Sequence, residues 1–150
     1  MSVISFGPEC YLCLGGQVQD GGKSVTQAFR DLQVWQRSIQ STVSIYRLTQ
    51  SFPREEVYGL TSQMRRSAVS VASNIAEGQG RLTSGEFKQF LGIARGSNFE
   101  LQTQLEIARQ LGFGHAKSLD ESEGLSHEVG KMLYSLLESL KECKEDGSRN

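Results

Sequence analysis

The chain is poor in several things at once. It has two prolines in 150 residues, Pro8 and Pro53, and none from Arg54 onward. Proline deletes a helical hydrogen bond and clashes with the preceding turn, so that long stretch is open to uninterrupted helices. No segment approaches the roughly 20 consecutive apolar residues a membrane-spanning helix needs. The N-terminus shows no basic patch followed by an apolar core and a small-residue cleavage site, which makes the cytoplasm the expected compartment and a membrane partner unexpected. Cysteine and histidine are sparse, with three of one and two of the other. Cys10 and Cys13 form a CxxC, but zinc takes four ligands as a rule, and Cys143, His115 and His127 stand in no ligand spacing to them. Thiol exchange would want a helix N-terminus behind the first cysteine inside an α/β fold, and neither is indicated. There is no HExxH, no Glu-x-x-His pair of the di-iron bundle type, and no histidine placed for a serine or cysteine triad. The expectation is a protein that is not an enzyme, with no catalytic residue, no metal site and no cofactor.

Residues 1–26 differ from the remainder. They hold five of the sixteen glycines, little charge and no sustained hydrophobic period. The run GGQVQDGGKS ends like a phosphate-binding loop, but G-x-x-x-x-G-K-[ST] would require glycine at position 17, which is Gln17. The parallel strands such a loop serves are also missing from the pattern. The segment reads as a flexible N-terminal extension without a fold of its own.

From Gln27 the apolar residues recur at helical steps. Leu32, Trp35, Ile39, Thr42, Tyr46 and Thr49, widened by Val43, predict a first helix over roughly residues 27–50. Ser51-Phe52-Pro53 ends it. Pro53 suits the first turn of a second helix, with Glu55 and Glu56 at the positive end of its dipole, running to about Glu77. Its apolar stripe is Val57, Leu60, Met64, Ala68, Val71 and Ile75. Gly78 and Gly80 close it. Thr83 and Glu86 fit a capping box that opens a third helix, to about Leu111, with Phe87, Leu91, Ala94, Leu101, Leu105 and Ala108 inward. Gly112-Phe113-Gly114 breaks the chain. A second capping box, Ser118 to Glu121, opens a fourth helix carrying Leu125, Val129, Met132, Leu136 and Leu140, broadened by Leu133 and Leu137, that frays near Cys143. Helices of about 24–28 residues at 1.5 Å per residue are about 36–42 Å long. Short connections make neighbours antiparallel, so the predicted fold is all-α, an up-down-up-down four-helix bundle over residues 27–144, with a polar tail over 145–150.

Two further patterns bear on function. Arg66, Ser70, Ser73 and Glu77 form a small polar stripe on the second helix, with Asn74 beside it. Gly92, Gly96 and Glu100 form a line on the third, near Ser97 and Asn98. Glycine inside a helix costs about 1 kcal/mol relative to alanine, so two of them one turn apart suggest close approach to a neighbour. One reading packs these faces together, with Glu100 meeting Arg66 or Asn74 and a polar cluster of Arg66, Asn74, Glu77, Ser97 and Glu100; the other leaves Glu100 solvated. The charge is also uneven. Residues 29–113 hold ten Arg and Lys against seven Asp and Glu, and residues 114–150 hold five against eight. This is either a set of solvated faces that differ or a basic surface on the middle helices.

The segments FRDLQVWQ, FPREEVYGLTSQMRRSAVSVASNIAEGQGR and GEFKQFLGIARGSNFELQTQLEIARQLG together resemble the 23S ribosomal RNA intervening-sequence protein family. The most specific signs are SNIAEG and the spacing of Ala94, Gly96, Ser97 and Glu100. The resemblance covers about Phe29 to Cys143. It implies an antiparallel four-helix bundle assembled into a closed, barrel-like homopentamer, with no catalytic residues. It also implies relatives encoded within ribosomal RNA gene insertions, or serving as accessory factors to a reverse transcriptase through a basic surface that binds nucleic acid. The expected function is a homo-oligomeric scaffold or accessory factor that touches RNA or DNA. Arg65, Arg81, Lys88, Arg95 and Arg109 are the candidate phosphate contacts. The alternative is a structural adaptor that binds protein partners only.

Overall fold

The computed structural model describes residues 29–145. The N-terminal extension with its CxxC and its glycine–lysine–serine run, and residues 146–150, lie outside the described residues. Four helices follow in order: α1 (Gln33–Leu48), α2 (Leu60–Gln79), α3 (Ser84–Gln110) and α4 (Ala116–Glu145). They pack in a ring, α1 on α2, α2 on α3, α3 on α4 and α4 back on α1. Ser70 meets Ser97 while Gly78, further along α2, lies against Phe87 and Phe90, and Asn98 meets Ser126 while Arg109 meets Asp120, so both helix pairs are antiparallel. No strand occurs among the described residues.

The helix ends differ from the sequence reading in instructive ways. A 3-10 turn at Phe29–Asp31 precedes α1, which starts only at Gln33 and spans 16 residues, well short of the length expected. Pro53 does not start α2. It leads a separate 3-10 turn at Arg54–Glu56, and Glu56 then accepts a hydrogen bond from the Leu60 amide at 2.9 Å, so the carboxylate caps the helix from outside it. The Thr83 cap forms, its hydroxyl oxygen accepting from the Glu86 amide at 3.2 Å. The second capping box does not form as expected: α4 begins at Ala116, the Leu119 amide bonds the His115 carbonyl, and Ser118 lies inside the first turn. Between α3 and α4, Gly112 takes φ +72°; the Phe113 amide reaches back to the Ala108 carbonyl and the Gly112 amide to Arg109. That pairing satisfies two orphaned carbonyls and aims Phe113 at Phe52, 5.6 Å away between ring centres.

The core has two apolar halves. One gathers Val34, Val71, Ile75, Phe87, Leu91, Ala94, Val129, Leu133 and Leu140 at the α2–α3 turn end. The other gathers Ile45, Leu48, Phe52, Met64, Ala68, Leu101, Leu105, Ala108 and Leu119 at the opposite end. Each fully buried leucine or isoleucine stabilises the fold by about 1.5–3 kcal/mol. Between the halves lies a polar waist. Asn98 is 1% exposed and Ser126 is fully buried; the Asn98 amide donates to the Ser126 carbonyl and the Ser126 hydroxyl donates to the Asn98 side-chain oxygen, both at 3.0 Å. Ser38 and Ser122 are also buried. Ser38 donates to the Trp35 carbonyl, and Ser122 shares a hydrogen bond with Ser44. A Cβ added to Gly130 would stand 3.2 Å from the Asn98 amide nitrogen, so the glycine makes room for this pair.

The waist explains where the inward stripes were misread. On α1 the buried residues are Val34, Ser38, Ser41, Ile45 and Leu48, one position away from the expected stripe. Ile39, Val43 and Tyr46 therefore face outward, 37–43% exposed. On α4 the inward line is Leu119, Ser122, Ser126, Val129, Leu133 and Leu140, with Leu125 and Met132 only partly buried. On α2, Val57 is outside the helix and exposed, while Met64, Ala68, Val71 and Ile75 are buried as expected. The α3 stripe is also buried as expected.

Candidate nucleic-acid and assembly surfaces

The α2–α3 groove brings together part of the polar cluster. The Ser70 and Ser97 hydroxyls share a hydrogen bond of 2.9 Å across it, and Asn74 donates to the Ser70 carbonyl and hydroxyl. The rest of the cluster does not join. Glu77 pairs with Arg81 one turn along its own helix. Glu100 is exposed and accepts from Gln104, with no contact to Arg66 or Asn74. The residue is exposed, so the charge does not require a cationic partner. The glycine line behaves likewise. A Cβ on Gly92 or Gly96 would meet nothing within 4 Å, so the close approach they permit is unused inside the chain. The glycine that does allow tight packing of α2 on α3 is Gly78, where a Cβ would fall 2.7 Å from the Phe90 Cβ.

The candidate phosphate contacts divide by what already holds them. Arg109 lies between Asp120, at 2.7 Å, and Glu123, at 3.0 Å. Those carboxylates, Glu123 foremost, hold its guanidinium well above the ordinary value, so it is a strut between α3 and α4 rather than a free cation. Arg81 is paired with Glu77 and lies over the Phe90 ring at 4.5 Å. Arg65 donates to the Thr49 hydroxyl and covers the Tyr46 ring at 4.8 Å. Arg95 has no ion pair among the described side chains; it sits between two rings, 5.3 Å from the Phe99 centre and 5.7 Å from that of Tyr134. Lys88, two turns before Arg95, likewise has no ion pair among the described side chains. The five residues thus do not make one patch. Lys88 and Arg95 share the outer face of α3 and α4, Arg65 lies on the outer face of α1 and α2, and Arg81 lies at the α2–α3 turn.

The structure adds an outward apolar stripe that periodicity had placed inside. Ile39, Val43 and Tyr46 of α1 stand beside Val69 of α2, and Tyr46, Val57, Val69 and Arg65 line a shallow depression there. Beside the α2–α3 groove, Ile93 and Ile107 are 46% and 44% exposed. Ile93 is one turn before Ser97 and so shares its side of α3. Among the described residues no group of three or more His, Cys, Asp and Glu is placed to hold a metal ion, and no helix is long and apolar enough to cross a membrane.

These features define a helical bundle whose specific chemistry lies on its outer faces. The family model described as the 23S rRNA-intervening sequence protein matches residues 30–135, and the chain belongs to that family. A solved structure from Bacteroides thetaiotaomicron, described as a protein with unknown function from the S23 ribosomal protein family, shares the fold. Its TM-score is 0.63 at 22% identity, over 69% of this chain and 97% of that one. No curated protein matches the chain.

Proposed function

We propose that the protein is a non-catalytic scaffold that assembles from identical copies and associates with nucleic acid. The observation that carries this reading is the amount of apolar and small-residue surface left outside a complete core. Ile39, Val43, Tyr46 and Val69 form one strip, and Ile93 with the open Gly96 forms another a quarter-turn around the bundle. Contiguous apolar surface of this kind marks an interaction site. The two strips differ from each other, so the contact is heterologous, and a heterologous contact that closes makes a ring. The homopentamer implied by the family resemblance is such a ring. In it, helices with close-approach glycines meet the aliphatic strip of the next copy. Lys88 and Arg95 remain outside this contact and supply the nucleic-acid surface.

Native mass measurement in solution tests the assembly, and a ring of several copies is expected. A monomer at micromolar concentration would end the reading. Filter binding across a salt series tests the second half: affinity should fall as salt rises, because neutralising phosphates releases counterions. The adaptor without nucleic acid remains the second reading, favoured by the capture of Arg81 and Arg109 by carboxylates of the same chain. Binding that is absent at low salt would select it.

A further inference from the structure

We infer that the outer face of α3 and α4 is a stacking platform for single-stranded nucleic acid. This rests on the nucleic-acid half of the proposed function and goes beyond it by naming the form of strand. Phe99 is 50% exposed and Tyr134 is 52% exposed, large values for rings that the core could have absorbed. They come from different helices, and one guanidinium, that of Arg95, lies over both. Among the described side chains no carboxylate forms an ion pair with Arg95. Further cations share the face: Lys88 two turns back along α3 and Lys131 one turn before Tyr134, while Lys141, two turns after it, is paired with Glu138. The carboxylates nearby have partners within the chain, which for Glu106 is a neutral amide. Glu138 holds Lys141, raising that ammonium above its ordinary value; Glu106 accepts from Gln110; and Glu123 holds Arg109 at the far end.

The chemistry selects unpaired bases. A duplex offers phosphates but hides its base faces, whereas a single strand offers both. Aromatic rings take base faces by stacking, cations beside them take the backbone, and an arginine among the rings adds cation–π attraction. A surface meant only for duplex would need the cations and not the rings. The Arg65–Tyr46 pair is different, because its arginine is tied to Thr49 and its neighbours Val57 and Val69 are aliphatic.

The test is fluorescence anisotropy with labelled 30-nucleotide RNA and DNA of one mixed sequence, each as single strand and as duplex, at low and moderate salt. Single strands should bind about tenfold or more tighter than the matching duplexes, and comparison of the RNA and DNA arms shows which sugar is preferred. The Phe99→Ala/Tyr134→Ala protein should lose about tenfold or more on single strands and little on duplex. Phe99→Trp should restore single-strand binding, and its added indole should be quenched by bound strand. Thermal melts of each variant confirm folding, which half-exposed rings should barely affect. Equal affinity for single strand and duplex, or single-strand affinity indifferent to loss of both rings, overturns this inference and leaves nucleic-acid association standing. No binding to any of the four probes overturns both.

Discussion

Two outer faces on opposite sides of the same bundle carry quite different surfaces. The α1–α2 face shows Ile39, Val43 and Val69, with Tyr46 covered by an arginine that is already bonded. The α3–α4 face shows Phe99 and Tyr134 around Arg95, with Lys88 nearby. Aliphatic surface gains by leaving water against another apolar surface and has little affinity for a polyanion. Rings beside unpaired cations can meet a partner that is both charged and flat-faced. The comparison teaches that exposed hydrophobic residues on one small protein need not share a purpose. On the proposed reading, their neighbours separate self-assembly from ligand contact.

The comparison can be broken most severely at Val43. Val43→Glu should convert the assembly to monomers, with a loss of about 3–5 kcal/mol for each interface that must bury the charge. Light scattering reads this, and single-strand binding per protomer should persist at reduced avidity. If assembly survives, the aliphatic face is not the contact. Asn98→Ala acts on both faces at once, through the frame that holds them. It leaves the Ser126 hydroxyl without its buried acceptor and should cost about 1–3 kcal/mol, seen as a lower denaturation midpoint with an unchanged slope. Arg95→Glu should weaken nucleic-acid binding about tenfold, about 1.4 kcal/mol, and leave the native mass unchanged; a change in mass would show that the α3–α4 face also joins copies. The smallest effect sharpens the comparison. In the Val43→Glu background, Gly96→Ala should raise stability by about 0.5–1 kcal/mol, since nothing in the chain obstructs the added methyl. In the unaltered protein the same change should weaken assembly, and thermal melts with native mass on both proteins separate the two results.

Much of the fold was legible because long helices repeat their signal. On α3, Phe87, Leu91, Ala94, Leu101, Leu105 and Ala108 leave one choice of inward face, and the structure buries all six. On α1 the signal misled. Ile39, Val43 and Tyr46 are the more hydrophobic set, but Ser38 and Ser41 are the buried one. Periodicity reports which side of a helix is apolar, and a helix whose outer face is also apolar has two such sides. The local hydroxyl bond of Ser38 to the Trp35 carbonyl lets that serine enter the core at low cost, which hydropathy does not register, whereas the Ser41 hydroxyl is buried without a partner among the described residues. Ser122 and Ser126 take the α4 interior in place of Leu125 through bonds to other helices, to Ser44 and Asn98, which hydropathy registers no better. Of the candidate surface, residue types could be named from sequence and their pairing could not. Asp120 and Glu123 are eleven and fourteen positions from Arg109, and only the turn at Gly112 folds them onto it. The association of Arg95 with Tyr134 bridges two helices and leaves no spacing signature. An exposed aromatic one turn after an arginine, as Phe99 follows Arg95, was the only available hint.

The reciprocal pairing of Asn98 with Ser126, with Gly130 beside it, has a consequence for how this molecule can diverge. Within either oily half, a leucine can give way to an isoleucine or methionine of similar volume one at a time. At the waist the alphabet is shared: an amide that loses its hydroxyl, or gains a methyl from Gly130, is wrong until its neighbour changes too. Relatives that depart from asparagine at position 98 should therefore depart at 126 and 130 in the same lineages, while the apolar ends drift independently.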